Sequence, residues 1–150
     1  MSYQERLERA AELWGIEKEY WDVWGTLHRT APETEVAILH ALGVPTGSEE
    51  ELEKATVNRL CEEWSRLTPP ALVMSPETAE FPVSAPAGLN GELSVHILWE
   101  QGGEAAYSVA LGAMPVVETG EAGGCKYERR MAPLPAGLPL GYHELCVSGG

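Results

Sequence analysis

The sequence predicts an α+β protein: a small N-terminal helical bundle over residues 1–69, followed by an antiparallel, immunoglobulin-like β-sandwich over 70–150. Apolar residues recur at three- and four-residue steps as far as Leu67, the spacing of one helix face. Pro69-Pro70 ends that pattern. Beyond it, short alternating runs are separated by Gly and Pro turns with no helical stretch between them, which is how antiparallel sandwiches read.

The first helix rests on Leu7, Ala10, Ala11 and Trp14 and stops at Gly15. Thr30 with Glu33 has the spacing of a capping box, and Pro32 sits early, where its missing N–H costs nothing. Val36, Leu39, Ala41 and Leu42 form the expected apolar face of that second helix, and Gly43 ends it. Ser48 with Glu51 opens a third helix carrying Leu52, Ala55, Leu60, Trp64 and Leu67.

After Pro70, Ala71 to Met74 is a short apolar run, and Glu80 to Ser84 is another, marked as an edge or irregular strand by Pro82. Glu92 to Glu100 alternates strictly, with Leu93, Val95, Ile97 and Trp99 on one face. Residues 101–104 (QGGE) are a turn, and Ala105 to Leu111 is the return strand. Met114 to Glu118, Cys125 to Met131 and Tyr142 to Val147 complete the set. The last has the look of a penultimate strand, with His143, Leu145 and Val147 on one side and only Ser148, Gly149 and Gly150 after it. The chain therefore reads as a piece of a longer protein. An open edge is expected there, either pairing with a second copy as a homodimer or covered by the Pro/Gly-rich stretch from Ala132 to Pro139.

A net charge of −13 argues against nucleic acid and anionic membrane surfaces as partners, since both select Lys and Arg. The N-terminus has no apolar signal region, and no run of about 18 apolar residues is present. Cys61, Cys125 and Cys146 are widely separated and free of CxxC spacing, so free thiols in a cytoplasm are expected.

Little chemistry is legible. His28, His40, His96 and His143 share no ligand spacing, so no metal is indicated, and no Gly-rich phosphate loop or cofactor motif appears. No serine lies in a GxSxG elbow. Asp22 is the only Asp, and it lies in an aromatic segment where a hydrogen bond to nearby backbone N–H groups is the expected role. The aromatic residues are the remaining candidates, because Trp and Tyr either fill cores or stack on sugar faces. Trp14 and Trp64 fall on helix faces, and Trp99 shares a strand face with apolar neighbours. Adjacent Tyr20 and Trp21 cannot both point inward, and Tyr20, Trp21, Trp24 and Trp99 are the candidate contacts for a sugar or for another domain.

The segment Leu13–Val44, LWGIEKEYWDVWGTLHRTAPETEVAILHALGV, resembles the opening of bacterial 4-α-glucanotransferases (amylomaltases, glycoside hydrolase family 77). There a run of the form "GI…YWD.WG..H", followed by "PE…LL.ALGV", precedes the catalytic barrel. LPLGYHELCV near the C-terminus is a weaker match. The resemblance implies a non-catalytic N-terminal accessory region whose partners are the catalytic barrel of the same parent chain and malto-oligosaccharides. The parent would pass α-1,4-linked glucosyl segments between glucans. Such chemistry needs two carboxyl groups about 5–5.5 Å apart, and the residues here offer no such pair. A stand-alone glucan-binding module and a protein-interaction or regulatory domain are the alternatives.

Overall fold

Ser2 opens the first helix, α1 (Tyr3–Leu13): its hydroxyl accepts from Glu5 N–H, and the Glu5 carboxylate takes Ser2 N–H at 2.6 Å. The computed structural model describes residues 1–75, 77 and 80–149. α1 ends in a Schellman turn, with Ile16 N–H on Ala11 O and Gly15 N–H on Glu12 O, and Gly15 takes the left-handed backbone at φ +76°. A two-stranded hairpin follows, β1 (Glu19–Trp21) and β2 (Leu27–Arg29), then α2 (Pro32–Ala41) and α3 (Glu49–Ser65).

Two helix details differ from the sequence expectation. Thr30 does not cap α2: its hydroxyl donates to Glu17 O at 2.6 Å and its N–H to Lys18 O, closing the base of the hairpin, so Ala31 stands at the cap without a side-chain bond. The buried face of α2 is Glu35 and Leu39, with Val36 half-buried, while Ala41 and Leu42 face solvent. Val44, delivered by a second Schellman turn onto Leu39 O, supplies the missing apolar contact. Ser48 caps α3 as expected, but the Glu51 carboxylate turns back to Gly47 N–H.

Contacts divide the chain into two units, Met1–Cys61 and Glu62–Gly150, a division that falls inside α3 rather than at Pro69-Pro70. Leu7, Ala10, Leu39, Val44 and Leu52 form the core of the first unit, with Tyr3, Trp14 and Ile16 packed around them. Arg6 is ion-paired with Glu53, joining α1 to α3.

The second unit begins with the last turn of α3. Among the described residues, six strands then form two three-stranded antiparallel sheets: β3 (Glu80–Pro86), β7 (Cys125–Pro133) and β6 (Val116–Ala122) in the order β3-β7-β6, and β5 (Glu104–Ala110), β4 (Glu92–Leu98) and β8 (Glu144–Gly149) in the order β5-β4-β8. Phe81, Val83 and Ala85 of one sheet and Leu93, Val95 and Ile97 of the other face a shared core with Leu111, Met114 and Ala132. The α+β architecture with a β-sandwich is thus the observed one. β6 and β7 turn through Gly123-Gly124, both at positive φ, the pair that a two-residue hairpin twisted to match its strands requires. Pro82 sits on an edge strand, since among the described residues β3 pairs only with β7. Residues 71–74 form no strand; Leu72 instead packs on the core from a loop. Leu134 and Leu138 of the Pro/Gly-rich stretch also pack against that core. β8 begins two residues later than Tyr142. His143 is held in the loop before it, its Nδ1 accepting Glu100 N–H and its Nε2 donating to Pro139 O.

Candidate functional site

The hairpin gathers three of the four candidate aromatics, and its turn explains why they are displayed. Asp22 N–H bonds Thr26 O, and Gly25 N–H bonds Asp22 O with Gly25 at φ +80°, a three-residue loop closed by a left-handed glycine. The Asp22 carboxylate locks this loop. Oδ1 accepts from Trp24 N–H and Thr26 N–H, both at 2.9 Å, and Oδ2 lies 2.9 Å from His28 Nε2. A carboxylate can only accept, so His28 Nε2 carries the proton. The His28 ring first, then the Thr26 N–H, hold the Asp22 carboxyl below the usual carboxylate range. The expected bonding of Asp22 to backbone is therefore observed, with His28 as a partner the sequence reading did not assign.

Register pairs Tyr20 with His28, and their rings stack at 5.2 Å between centroids. Trp21 pairs with Leu27 on the opposite face, and Val23 and Trp24 occupy the tip. Tyr20 is 57% exposed, Trp21 68% and Trp24 86%. Burying aromatic area is what folding ordinarily achieves, and this hairpin instead leaves three aromatics and Val23 to water. Neither helical periodicity nor strict alternation marks this hairpin. The signal that could have found it is the Asp-Val-Trp-Gly order, Asp opening a turn and Gly closing it.

Trp99 belongs to the other unit. It follows β4 in the turn to β5, donating its N–H to Gly103 O, and its half-buried ring packs on the sandwich core. Gly103, at φ +109°, leaves the space that ring occupies. Trp99 Nε1 is buried without a partner.

Residues 67–150 match the family described as the MalQ N-terminal beta sandwich domain. The chain belongs to that family. The match covers the six-stranded sandwich but starts after α3, so the helices and the hairpin are matched through whole-chain relatives. The 4-alpha-glucanotransferases of Mycobacterium bovis and Mycobacterium tuberculosis are each 30% identical over 145 residues, covering 96% of this chain and 20% of theirs. Among solved structures, the amylomaltase from Corynebacterium glutamicum superposes with a TM-score of 0.70 at 26% identity, over 97% of this chain and 21% of that one. The chain thus spans about a fifth of the length of the relatives it matches.

Proposed function

We propose that this chain is a non-catalytic accessory region of a cytoplasmic 4-α-glucanotransferase whose full-length form transfers malto-oligosaccharide segments between α-1,4-glucans. The observation that carries it is the match of nearly the whole chain to only a fifth of the 4-alpha-glucanotransferases. The side chains agree with that division of labour. Asp22, the only Asp, has its carboxylate committed to three bonds within its own hairpin. On this reading Tyr20, Trp21 and Trp24, and the open part of Trp99, contact glucan or the catalytic barrel of the same parent chain.

Two measurements test it. Purified chain should release no glucose from maltotriose; release that disappears on Asp22→Asn would overturn the reading. Titration with maltoheptaose should show binding no tighter than about millimolar, because two or three small aromatic platforms bury too little to offset the loss of ligand freedom. Micromolar binding abolished by Trp24→Ala would make the chain a stand-alone glucan-binding module instead.

A further inference from the structure

The register of the hairpin sorts its side chains onto two faces of unlike chemistry. Glu19 pairs with Arg29 and Trp21 with Leu27, so these four share one face, while Tyr20 and His28 share the other. On the Tyr20 face the polar groups are already engaged. The His28 ring is stacked on Tyr20 and its Nε2 donates to Asp22, whose carboxylate also holds the Trp24 and Thr26 N–H groups. The Trp21 face is the reverse. Its indole is exposed, and among the described residues no ring or guanidinium is stacked on it. Arg29 Nε lies 3.7 Å from the Glu19 carboxylate, longer than a hydrogen bond, and both side chains are exposed. Among the described residues neither has another ion pair, so their hydrogen-bonding capacity is left to water. They stand two residues along the strands from Trp21 and Leu27, a step of about 7 Å. A flat apolar ring therefore lies beside a donor and an acceptor that do not satisfy each other.

We infer that the Trp21 face binds one glucosyl ring of a 1,4-linked glucan, the C–H face of the sugar lying on the indole and its neighbouring 2- and 3-hydroxyls engaged by Arg29 and Glu19. This rests on the proposed function and deepens it, naming glucan rather than another domain as what this face meets. The match is one of donors and acceptors. A guanidinium only donates and a carboxylate only accepts, whereas a hydroxyl does both. A vicinal diol therefore suits the pair: one hydroxyl oxygen accepts from Arg29, and the other hydroxyl donates to Glu19. Hydrogen bonds to ionised groups are the stronger kind. A dry protein surface closing over the same face would strip water from both charges without replacing it, which is costly. Sugar hydroxyls replace that water, and this selects glucan over a protein partner. A 1,4-linkage leaves both hydroxyls free on every ring, and a 1,3-linkage removes one. The Asp22 bonds fix the turn beside Trp21 before any ligand arrives, so little ordering opposes binding.

NMR titration of the isotope-labelled chain with maltoheptaose tests this. The Trp21 indole N–H and the Arg29 Nε–H should shift together and saturably, with a Kd of about millimolar. Trp21→Ala should abolish the shift at Arg29 while the amides of β4 stay in place, which shows that the variant is folded. Arg29→Met should weaken binding by about fivefold, the worth of one exposed hydrogen bond. Laminariheptaose, linked through the 3-hydroxyl, should bind weaker by about the same factor. Equal binding of the 1,3-linked sugar, unchanged affinity in Arg29→Met, shifts that survive Trp21→Ala, or an unmoved Trp21 indole each overturn the inference. Shifts of this face that grow with chain concentration in the absence of sugar overturn it too, assigning the face to a second copy. Release of glucose from maltotriose is assayed on the same material. A chain that releases glucose refutes the non-catalytic reading whatever the hairpin binds. A silent chain whose hairpin ignores maltoheptaose refutes the sugar site and leaves that reading in place.

Discussion

Trp64, in the last turn of α3, occupies the space that a Cβ on Gly120 of β6 would need. The indole is 7% exposed, with the Arg129 guanidinium 4.6 Å from its ring centre and Tyr127 stacked at 6.1 Å. Arg129 is held there by Glu63 and Glu118. Gly120→Ala should therefore destabilise the sandwich by about 1–3 kcal/mol through overpacking. Urea unfolding measures it, and the same Gly120→Ala change made in a Trp64→Leu background should cost much less. An additive double variant would show that the two residues do not compete for space.

The two classes of tryptophan should separate on truncation. Trp64→Ala removes a buried ring and should cost about 3–5 kcal/mol. Trp24→Ala, at the hairpin tip, should change stability by less than about 0.5 kcal/mol. Equal losses would mean that the tip is packed in solution.

Acid should open the hairpin before it unfolds the units. The folded pKa of Asp22 is depressed below its unfolded value of about 3.9. Its contribution is thus complete above that value and is lost as pH falls through the lower folded value. Amide shifts of Trp24 and Thr26 followed by NMR should show the transition that belongs to the Asp22 carboxyl only below about 3.9. Asp22→Asn should remove that transition; a midpoint above 3.9 in the unaltered chain would contradict the bonding described.

Glu35 behaves in the opposite sense. Its side chain is buried on α2, and Oε2 has no partner. Burial first, then the Glu8 charge, push its pKa up, while Lys18 opposes them. A raised carboxyl pKa means that the fold is unpenalised below the unfolded value of about 4.3 and loses stability as pH rises through the folded one. Glu35→Leu should gain about 1–3 kcal/mol at pH 7, the cost of an unmatched buried polar group. The gain should shrink toward pH 4, and thermal unfolding at the two pH values reads it directly.

The parts legible in the sequence are those where one physical signal dominates. Leu93, Val95 and Ile97 announced β4 because a half-buried strand enforces a two-residue period. Gly15 and Gly43 announced helix ends because a left-handed residue closes each Schellman turn. Thr30 misled because its hydroxyl serves a tertiary bond to Glu17 O, which sequence spacing does not encode. Glu35 went unnoticed on a helix face because a carboxylate reads as exposed. The candidate aromatics were named, but the hairpin grouping three of them depends on the bonds of Asp22, visible only once His28 and Thr26 are in place.

The placement of tryptophans gives the hairpin and the sandwich separate optical reporters. Trp21 and Trp24 are wet, so their emission should already lie near that of the free amino acid and respond to external quenchers. Trp64, sealed in the second unit, should emit to the blue and resist the same quenchers until the sandwich opens. Sandwich unfolding can then be followed in the blue component while added quencher or ligand reads the hairpin in the red. The two signals separate contact at the hairpin from opening of the sandwich.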